Sequence, residues 1–510
     1  MALRWTTRRL ALPAWLPPPR SAGVLAGLVL LPVVLVTAST PSWTDGSRQV
    51  SDRDVDWTAT VHLRPDPDTL SVGVTHTQHS VDAWGDAPAR ARARAVLSAT
   101  ASYQNQHIFG WGGLNPEPSP GRYDWSALDA RMELIRSTGG IPVITLCCAP
   151  DWMKGGRPGE TDWKQLEKAP LPEHYQDFAA LAATVARRYP DVRHFQVWNE
   201  LKGFWNNAQN RWDYEAYTRL YNQVYDALKA VDPALQVGGP YVVLDTWHDR
   251  QAGGHASGLA GACGVLDQRG LDVLEYWLEH KHGADFVSVD ASLSTRDEGP
   301  VAPPSTAAQK LDVLTRWIRQ RTSLPVWWSE FHIGGAGGGQ EELTATTVAA
   351  LLRMAAAGAS VALMWQPQEE LGSQQPSGLR LWTSTERPGG GEPLPSATAV
   401  AHVQHVLADH AGSGSVSWPR PDVGILRGHR SLLLVHVDDG DATVEVDGHW
   451  LRLGAHEVRY VSVPPRPLVA TALTAIAKLA TTLVPRPPAT GQCMRLPRRT
   501  APAPPPGAGR

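Results

Sequence analysis

The sequence predicts an α/β protein: a (β/α)8 TIM barrel followed by a small antiparallel β-sandwich-like domain. From about residue 65 to 410, eight apolar runs typical of buried strands alternate with segments that have the periodicity of amphipathic helices. Eight strand–helix units over roughly 340 residues suit a closed barrel with enlarged loops. An open doubly wound sheet is disfavoured, because the strand–Gly-rich turn–helix fingerprint of nucleotide binding does not occur.

The predicted strands and helices alternate along the barrel. The strand candidates are residues 69–76, 107–111, 141–147, 194–198, 235–239, 285–290, 326–330 and 360–365. Helical patterns are clearest at residues 172–189, 212–231, 271–280, 307–319 and 341–357, and a last helix is predicted at 397–410. In the first helix, Phe178, Leu181 and Val185 have the spacing of one buried face. This order predicts a parallel sheet with helices on its outer side.

The pattern changes after the barrel, which is predicted to span residues 65–410. Short alternating segments and the hairpin-type turn Asp438–Asp441 predict a small β domain at 411–465, with segment 58–63 as a candidate additional strand. Residues 466–510 contain an apolar run, 468–484, and a tail rich in Pro and Arg. Two interpretations of this last segment stay open: a weak membrane or surface anchor, or a disordered tail with a short helix.

Residues 1–46 have the order of a targeting segment. Four arginines in the first 20 residues precede an apolar run at 22–36, which small residues follow. This order is typical of a secretory signal peptide. The apolar run, about 15 residues long, is slightly shorter than a membrane span, so an uncleaved anchor is the alternative. The protein is therefore predicted to be secreted or extracytoplasmic, with attachment to a membrane or cell surface through this segment left open.

Composition limits the partners and cofactors. The net charge of -3 gives no electrostatic reason to expect nucleic acid. No Cys/His spacing suggests a metal site, and neither metal nor cofactor is predicted. Either Cys147 or Cys148 could pair with Cys263 in an oxidising compartment, or all could be buried thiols. The 21 Trp against 6 Phe suggest rings that stack on sugars, although most Trp are expected to pack in cores.

Two glutamates each follow an apolar strand run. Glu200 comes at the end of the fourth predicted strand and Glu330 at the end of the seventh. The carboxyl ends of barrel strands all face one mouth, where active sites are built. A pair of carboxylates at that mouth is what acid/base-plus-nucleophile cleavage of a glycosidic bond requires. The pair therefore predicts a glycosidase reaction on a carbohydrate substrate.

The motifs around these glutamates resemble those of a known family. Trp198-Asn199-Glu200 and Ser329-Glu330-Phe331 are similar to the acid/base and nucleophile signatures of the "4/7" glycoside hydrolases of clan A. The runs 112–116, 121–125 and 145–153 (GGLNP, GRYDW and TLCCAPDWM) resemble glycoside hydrolase family 39, which holds β-xylosidases and α-L-iduronidases. The resemblance covers roughly residues 65–410, and the family is expected to carry a β domain after the barrel.

The resemblance implies separate roles for the two carboxylates. Glu200 would be the general acid/base and Glu330 the nucleophile of a retaining, double-displacement mechanism. The aromatic neighbours Trp198 and Trp205 are expected to remove water from Glu200 and so raise its pKa. Asn199 would hydrogen-bond the 2-hydroxyl of the bound sugar, with a loop-capping role as the alternative.

Further residues are predicted to bind substrate from other strand ends. Trp365 would form a platform under the sugar, as the resemblance implies, and Trp111 would stack from the end of strand two. His79, close to His76 after strand one, and His332, two residues past Glu330, are candidates for hydrogen bonds with substrate. Two more candidates are Asp290 on strand six and Trp152 in the loop after strand three. For each, a purely structural role is the alternative.

Two departures from the clan pattern affect the expected substrate. Strand two has Phe109-Gly110-Trp111 where the clan commonly has an Arg, and strand six has Ser288-Val289-Asp290 where it commonly has a His or Tyr. His332 or Asp290 would then set the charge and orientation of Glu330. The predicted function is a retaining glycoside hydrolase most like a xylan 1,4-β-xylosidase. The alternatives are a hydrolase of another glycan (a uronide, β-glucoside or cell-envelope polysaccharide) and a non-catalytic carbohydrate-binding envelope protein.

Overall fold

The structure is a computed structural model of the chain. It describes residues 60–62, 69–81, 85–249, 255–334, 339–371, 380–409, 414–462 and 493–494. The predicted targeting segment 1–46 and the apolar run 468–484 lie outside the described residues. Among the helices that are described, none combines the length and the apolar character needed to cross a membrane.

Eight parallel strands close into a barrel, which confirms the predicted fold class. With strands numbered along the chain, they are β2 (Ser71–Thr75), β3 (Tyr103–His107), β4 (Ile141–Leu146), β5 (His194–Val197), β8 (Gln236–Val243), β12 (Phe286–Ser292), β13 (Val326–His332) and β14 (Val361–Trp365). Each strand pairs in parallel with its neighbours, and β14 pairs with β2 to complete the ring. Their carboxyl ends therefore share one mouth.

Helices surround the barrel, as the alternating pattern predicts. In the described residues they are α1 (Ala87–Thr100), α2 (Ser126–Ser137), α3 (Tyr175–Arg188), α4 (Tyr214–Val231), α5 (Gln268–His280), α6 (Pro304–Ala307), α7 (Gln309–Arg319), α8 (Gln340–Ala357) and α9 (Pro395–Ala408). Three short 3-10 helices are Asp151–Lys154, Trp163–Gln165 and Pro172–His174. Helix α4 begins where the Asp213 side chain accepts a hydrogen bond from the Ala216 backbone N–H. It buries Leu220, Val224 and Leu228 along one face.

The barrel interior has a polar layer directly below the mouth. Six buried side chains from six strands form it: Thr75, Asn105, Thr145, Gln196, Ser288 and Ser329. Gln196 links its own strand, β5, to three other strands. Its amide donates to Thr145 Oγ1 at 3.2 Å, and its carbonyl accepts from Ser288 Oγ at 2.9 Å and from Ser329 Oγ. Asn105 continues the layer to Thr75 and Thr145. These bonds tie the strands of Glu200 and Glu330 to their neighbours.

A second, apolar layer closes the opposite end of the barrel. Phe286 and Trp327 stack there with their ring centroids 4.0 Å apart, and Val143, Val361 and Leu363 fill the remaining space. The barrel interior is therefore filled by apolar side chains at this end and by polar side chains below the mouth.

The small domain after the barrel is an antiparallel sheet with a hairpin over it. The additional strands are β1 (Thr60–His62), β15 (Ser415–Arg420), β16 (Val423–Arg427), β17 (Ser431–His436), β18 (Ala442–Val446), β19 (His449–Leu453) and β20 (Val458–Ser462). The sheet order is β1-β15-β16-β17-β20, and β18 pairs with β19. Side chains such as Ile425, Leu434 and Val444 form a separate core between the sheet and the hairpin. The candidate strand before the barrel is present and lies at one edge of this sheet.

Short strands also form in the loops at the mouth. They are β6 (Trp205–Asn206), β7 (Arg211–Trp212), β9 (Thr246–Trp247), β10 (Ala256–Gly261) and β11 (Gly264–Asp267). Strands β6 and β7 pair in the loop after β5, and β9, β10 and β11 form a three-stranded sheet after β8. The long loops expected of an enlarged barrel therefore contain secondary structure of their own.

The second barrel strand differs from its prediction. It was predicted at residues 107–111, but β3 spans Tyr103–His107, and Trp111 lies four residues beyond it. The reason is the polar layer. The inward side chains of β3 make hydrogen bonds, so the strand has the polar sequence Tyr-Gln-Asn-Gln-His. A search for apolar runs therefore passes over it.

Both alternatives that the sequence leaves open for the cysteines are wrong. Cys147 and Cys148 are bonded to each other, and Cys263 is bonded to Cys493, so no described residue contains a free thiol. Cys263 lies in the turn between β10 and β11, and its backbone N–H donates to the Cys493 carbonyl at 3.3 Å. The fold brings a residue of the C-terminal tail to this turn, which a pairing argument limited to barrel residues excludes.

Candidate active site

The two glutamates are placed at the mouth by different backbone geometries. Glu330 lies within β13, whereas Glu200 follows β5 in a tight turn. The turn is closed by Trp198, whose indole Nε1 donates to the Lys202 carbonyl at 2.8 Å. The Trp198 ring packs against Phe178 and Phe204 in the core. Trp198 therefore anchors the turn from below.

Several residues of the mouth have left-handed backbone conformations. The φ angles are 46° for Trp111, 70° for Trp198, 50° for Glu200, 54° for Tyr241 and 49° for Gln366. Each such conformation costs a non-glycine residue about 1–3 kcal/mol and persists where surrounding contacts hold it. Strained positions of this kind concentrate at functional sites, so their grouping agrees with an active site at this mouth.

Both carboxylate oxygens of Glu330 accept hydrogen bonds. His332 Nε2 lies 2.7 Å from Oε1, and the Tyr241 hydroxyl donates to Oε2 at 3.0 Å. Burial by itself would raise the pKa of Glu330, but the hydrogen bond and charge of His332, with Lys202 and Tyr241, hold that pKa below its usual value. Glu330 is therefore the ionised carboxylate of the pair.

Glu200 has the opposite electrostatic environment. Burial and the neighbouring charge of Glu330 raise the pKa of Glu200 to about 7, although Lys202 and His332 oppose the shift. Lys202 Nζ lies 3.4 Å from Glu200 Oε1 and 3.0 Å from Glu167 Oε1. Trp205 makes its aromatic contacts away from Glu200, with Trp212 and Arg269. The raised pKa that the sequence predicts is present, and burial with the charge of Glu330 causes it.

Unpaired polar atoms converge on the same mouth. Asn199 Oδ1, both ring nitrogens of His107 and Asp290 Oδ1 are buried without a hydrogen bond of good geometry among the described residues, although the Asn199 amide interacts with the His107 ring. Burial lowers the pKa of His107 to about 4, so its ring is neutral at physiological pH. Buried polar atoms are normally hydrogen-bonded, and a ligand rich in hydroxyl groups would satisfy these.

Aromatic rings form one wall beside these atoms. The His107 ring centroid lies 4.5 Å from that of Trp111 and 6.4 Å from that of Trp365, which is the last residue of β14. The Trp111 and Trp365 rings meet edge to face at 6.2 Å, and Lys202 Nζ lies 4.9 Å from the Trp111 ring centre. Trp111 thus lies at the mouth as predicted, but it belongs to the loop after β3 and not to the strand itself.

Two other residues predicted to bind substrate, His79 and Trp152, make contacts with different groups, and their role stays a prediction. His79 is close to two acidic side chains, with ring nitrogens 3.7 Å from Glu370 and 3.8 Å from Glu386. Trp152 donates from Nε1 to the Glu117 carbonyl at 3.0 Å and meets the His174 ring edge on. Its contacts are those of a residue that packs a loop. Asn199, Trp111, Trp365, Asp290 and His332 are the predicted residues that the structure gathers around the glutamates.

Three residues of the mouth were missed by sequence reasoning. Tyr241 corrects the expectation that Glu330 lacks a tyrosine, because the phenol comes from the fifth barrel strand, β8, in place of the sixth. His107 is the last residue of β3, whereas the sequence predicts a strand that begins there. Lys202 follows Glu200 by two residues, a spacing that could have indicated an ion pair in the turn.

A third acidic group lies beside Glu330. Asp290, Glu330 and His332 each have one potential metal-ligating atom, and these three atoms lie within 4.8 Å of one another. Because both oxygens of Glu330 are already hydrogen-bonded to His332 and Tyr241, the arrangement suits proton transfer and hydrogen bonding better than cation binding. The expectation that no metal takes part stays a prediction.

The fold and the carboxylate pair define a class of protein, the clan A type of (β/α)8 barrel with glutamates on the fourth and seventh strands. The family model described as "Glycosyl hydrolases family 39" matches residues 118–358. This match supports the resemblance to glycoside hydrolase family 39 that the motifs predict. The matched residues include Glu200 and Glu330, together with β4, β5, β8, β12 and β13.

Characterised relatives match shorter parts of the chain. A β-xylosidase of Caldicellulosiruptor saccharolyticus is 31% identical over 131 residues, 24% of this chain and 25% of the relative. A β-xylosidase of Geobacillus stearothermophilus is 28% identical over 218 residues, 39% of this chain and 38% of the relative. The chain thus aligns with less than half the length of either protein.

Solved structures share the fold at low sequence identity. A monomeric β-xylosidase from Caulobacter crescentus CB15 has a TM-score of 0.50 and 19% identity, and the match covers 74% of this chain and 75% of that protein. SrfJ from Salmonella typhimurium has a TM-score of 0.51 and 14% identity, with 82% and 92% covered. At these identities the likeness concerns the fold.

Proposed function

We propose that the protein is a retaining glycoside hydrolase that acts on poly- or oligosaccharides, most like a xylan 1,4-β-xylosidase. The observation that carries the proposal is the division of labour between the two glutamates. Glu330 is held ionised by His332 and Tyr241, whereas Glu200 has a pKa of about 7 and so retains a proton near neutral pH. A nucleophile and an acid need these two states. The β-xylosidase names of the aligned relatives support the choice of substrate.

The reaction proceeds in two displacements. Glu330 attacks the anomeric carbon, the bond from that carbon to the leaving oxygen breaks, and Glu200 gives that oxygen its proton. A covalent ester links the sugar to Glu330. A water molecule then attacks the same carbon while Glu200 accepts its proton, the ester bond breaks, and Glu330 leaves as a carboxylate. Asn199, which is buried next to Glu200, would hydrogen-bond the 2-hydroxyl.

Aryl glycosides provide a direct test. Purified protein should hydrolyse an aryl β-xyloside, and Glu330→Gln should lower kcat by at least about a thousandfold. Glu200→Ala should lose activity mostly on substrates with poor leaving groups, and azide should restore turnover of an activated aryl xyloside with formation of a β-xylosyl azide. Glu275→Ala is the matched control, because Glu275 pairs with Arg321 on the outside of the barrel.

The outcomes are distinct. Wild-type protein that cleaves no aryl glycoside, in a panel that includes glucosides, would contradict the proposed activity. An α-azide product from Glu200→Ala would contradict retention. Equal activity of Glu330→Gln and wild type would remove Glu330 from the mechanism.

We also propose that the protein acts outside the cytoplasm. Its support is the basic and apolar order of residues 1–46, together with the two disulfides Cys147–Cys148 and Cys263–Cys493, since stable disulfides are typical of oxidising compartments. The full-length chain and a version without residues 1–46 can be expressed in a bacterium and fractionated. Recovery of both versions in the cytoplasm, with their cysteines reduced and reactive to a thiol reagent, would contradict export.

A further inference from the structure

Asp290 lies directly beside the nucleophile. In the parallel pairing of β12 with β13, Asp290 is the register partner of Glu330. The Asp290 side chain is only 3% exposed, and a carboxyl oxygen of Asp290 lies within 4.8 Å of one of Glu330. Two buried carboxyl groups at this separation cannot both ionise at moderate cost. One of them must hold a proton.

The hydrogen bonds decide which carboxyl group holds it. Glu330 accepts from both His332 and Tyr241, which stabilises its charged form. Asp290 Oδ1 is buried without any hydrogen-bond partner among the described residues. A carboxylate in that position would lose its hydration without compensation, whereas a neutral carboxyl can donate one hydrogen bond. The proton therefore belongs on Asp290.

The charged groups around Asp290 act in the same direction. Glu330 on β13, Glu200 after β5 and Asp245 after β8 disfavour a further negative charge, and His332 opposes them. Tyr241 on β8 also faces the site, and its phenol stays neutral because burial raises its pKa. Burial first, and then the charge of Glu330, raise the pKa of Asp290 well above its ordinary value. The protonated form agrees with the geometry.

The pocket has little cationic charge to offer an acidic sugar. Lys202 is already shared between Glu200 and Glu167. His107 is neutral, since burial lowers its pKa to about 4. The cationic groups near the glutamates, Lys202 and His332, are thus already paired with Glu200 and Glu330. A uronate carboxylate would lie beside the negative charge of Glu330 without a cation of its own among these neighbours.

We propose that Asp290 determines glycone specificity: its neutral carboxyl donates a hydrogen bond to a sugar hydroxyl, and the pocket accepts neutral glycones and rejects uronides. The inference rests on the proposed hydrolase function. It selects the neutral glycans among the substrates that the sequence leaves open. Asn199 and His107, whose buried polar atoms make no hydrogen bond of good geometry with the described residues, would complete the set of groups that meet the hydroxyls.

Two substitutions at Asp290 separate a neutral donor from a required carboxylate. Asp290→Asn keeps the shape and a hydrogen-bond donor, so it should retain a clearly larger kcat/KM for an aryl β-xyloside than Asp290→Ala does. Asp290→Ala removes the donor and should lower kcat/KM about tenfold or more, mainly through KM. Aryl β-glucuronide should be cleaved by wild type at less than about one hundredth of the rate of the neutral glycosides. Asp312→Asn, on the outer helix α7, is the control.

The pH profile gives a second readout. The alkaline limb of wild-type kcat/KM should show two ionisations. One is the loss of the proton of Glu200, and the other is the loss of the proton of Asp290. Asp290→Asn should lack that additional ionisation and retain the one that belongs to Glu200. A purely structural aspartate would not change the number of ionisations.

Specific results would overturn the inference. Asp290→Asn that is as inactive as Asp290→Ala, while both retain the wild-type Tm, would show that an ionised Asp290 is needed. Comparable rates on glucuronide and xyloside would contradict the rejection of uronides. Failure of wild type on every glycoside would instead overturn the proposed function itself, and the inference with it.

Discussion

The Tyr241 hydroxyl donates a 3.0 Å hydrogen bond to Glu330 Oε2, from a strand next but one to that of the glutamate. With His332 on the other oxygen, the carboxylate is held at both ends and cannot rotate without losing a hydrogen bond. A nucleophile fixed in this way loses little conformational entropy on reaching the transition state. Tyr241 therefore both orients Glu330 and stabilises its charge.

Removal of the Tyr241 hydroxyl should weaken the nucleophile. Tyr241→Phe leaves the ring in place but deletes a hydrogen bond that lowers the pKa of Glu330, so that pKa should rise. Since the ionised form is active, the acidic limb of kcat/KM should move to higher pH. A hydrogen bond to a charged group is worth about 1.5–3 kcal/mol, so kcat should fall roughly ten- to a hundredfold. Steady-state kinetics from pH 3.5 to 9 measure both effects.

Tyr221→Phe is the control for this substitution. Tyr221 is also buried, but its hydroxyl donates to the Gly283 carbonyl on the outer side of the barrel. Its removal should change stability and leave the pH profile as it is. The same profile for Tyr241→Phe and wild type would contradict the role given to Tyr241.

Lys202 should set the alkaline limit of activity. Its Nζ lies 3.4 Å from Glu200 Oε1 and favours the ionised form of Glu200, which has a pKa of about 7. Lys202→Met removes this cation, so the pKa of Glu200 should rise. The acid is active when protonated, and the alkaline limb of kcat/KM should therefore move to higher pH, by about one unit. Lys164→Met, at an exposed position, should leave the alkaline limb unchanged. A shift of that limb to lower pH in Lys202→Met would contradict the role given to Lys202.

The polar layer should be required for both stability and activity. Gln196→Leu removes the acceptor shared by the Ser288 and Ser329 hydroxyls. These two hydroxyls still bond each other, but one of them loses its acceptor. A buried unpaired group costs about 1–3 kcal/mol, so the free energy of unfolding should fall by about that amount. Urea denaturation measures the change, and kcat should fall as well. Gln236→Leu, at the partly exposed start of β8, should hardly change the free energy of unfolding. An equal loss of stability in Gln236→Leu would argue against a special role of the polar layer.

The disulfide between Cys263 and Cys493 should contribute stability without affecting chemistry. It closes a loop with a sequence separation of 230 residues. A link across a loop of this length restricts the unfolded chain, and its loss costs about 2–5 kcal/mol. The double variant Cys263→Ser/Cys493→Ser should have a lower Tm and nearly wild-type kcat at room temperature. An unchanged Tm would mean that the tail adds nothing to the fold.

The barrel and the position of the two glutamates could be predicted because apolar strand runs and helical periodicity are local signals. Glu200 and Glu330 follow such runs, so their strand ends are visible in the sequence. The strand Tyr103–His107 was missed because its inward residues meet a polar layer, and burial there leaves no apolar pattern. Hydrogen-bonding partners on other strands are not encoded in the segment itself.

Tyr241 shows a second limit of sequence reasoning. The sequence predicts the fifth strand at residues 235–239, and the glycines and the proline that follow are residues that normally interrupt strands. In the structure β8 continues through Pro240 to Val243, and Tyr241 has a φ of 54° that turns its phenol towards Glu330. The contact joins residues 89 positions apart, a distance over which neither strand pattern nor turn chemistry is informative. The Cys263–Cys493 pair escaped prediction for the same reason.

The pairing of β1 with β15 has a consequence for how the protein can be cut or recombined. The sheet of the small domain takes one strand from before the barrel and the others from after it. In topological terms the barrel is an insertion into the small domain. A single truncation after α9 would expose the surfaces of α8 and α9 that contact β16 and β17, and would leave β1 without a neighbour. An exchange of small domains between relatives therefore needs two junctions, one on each side of the barrel.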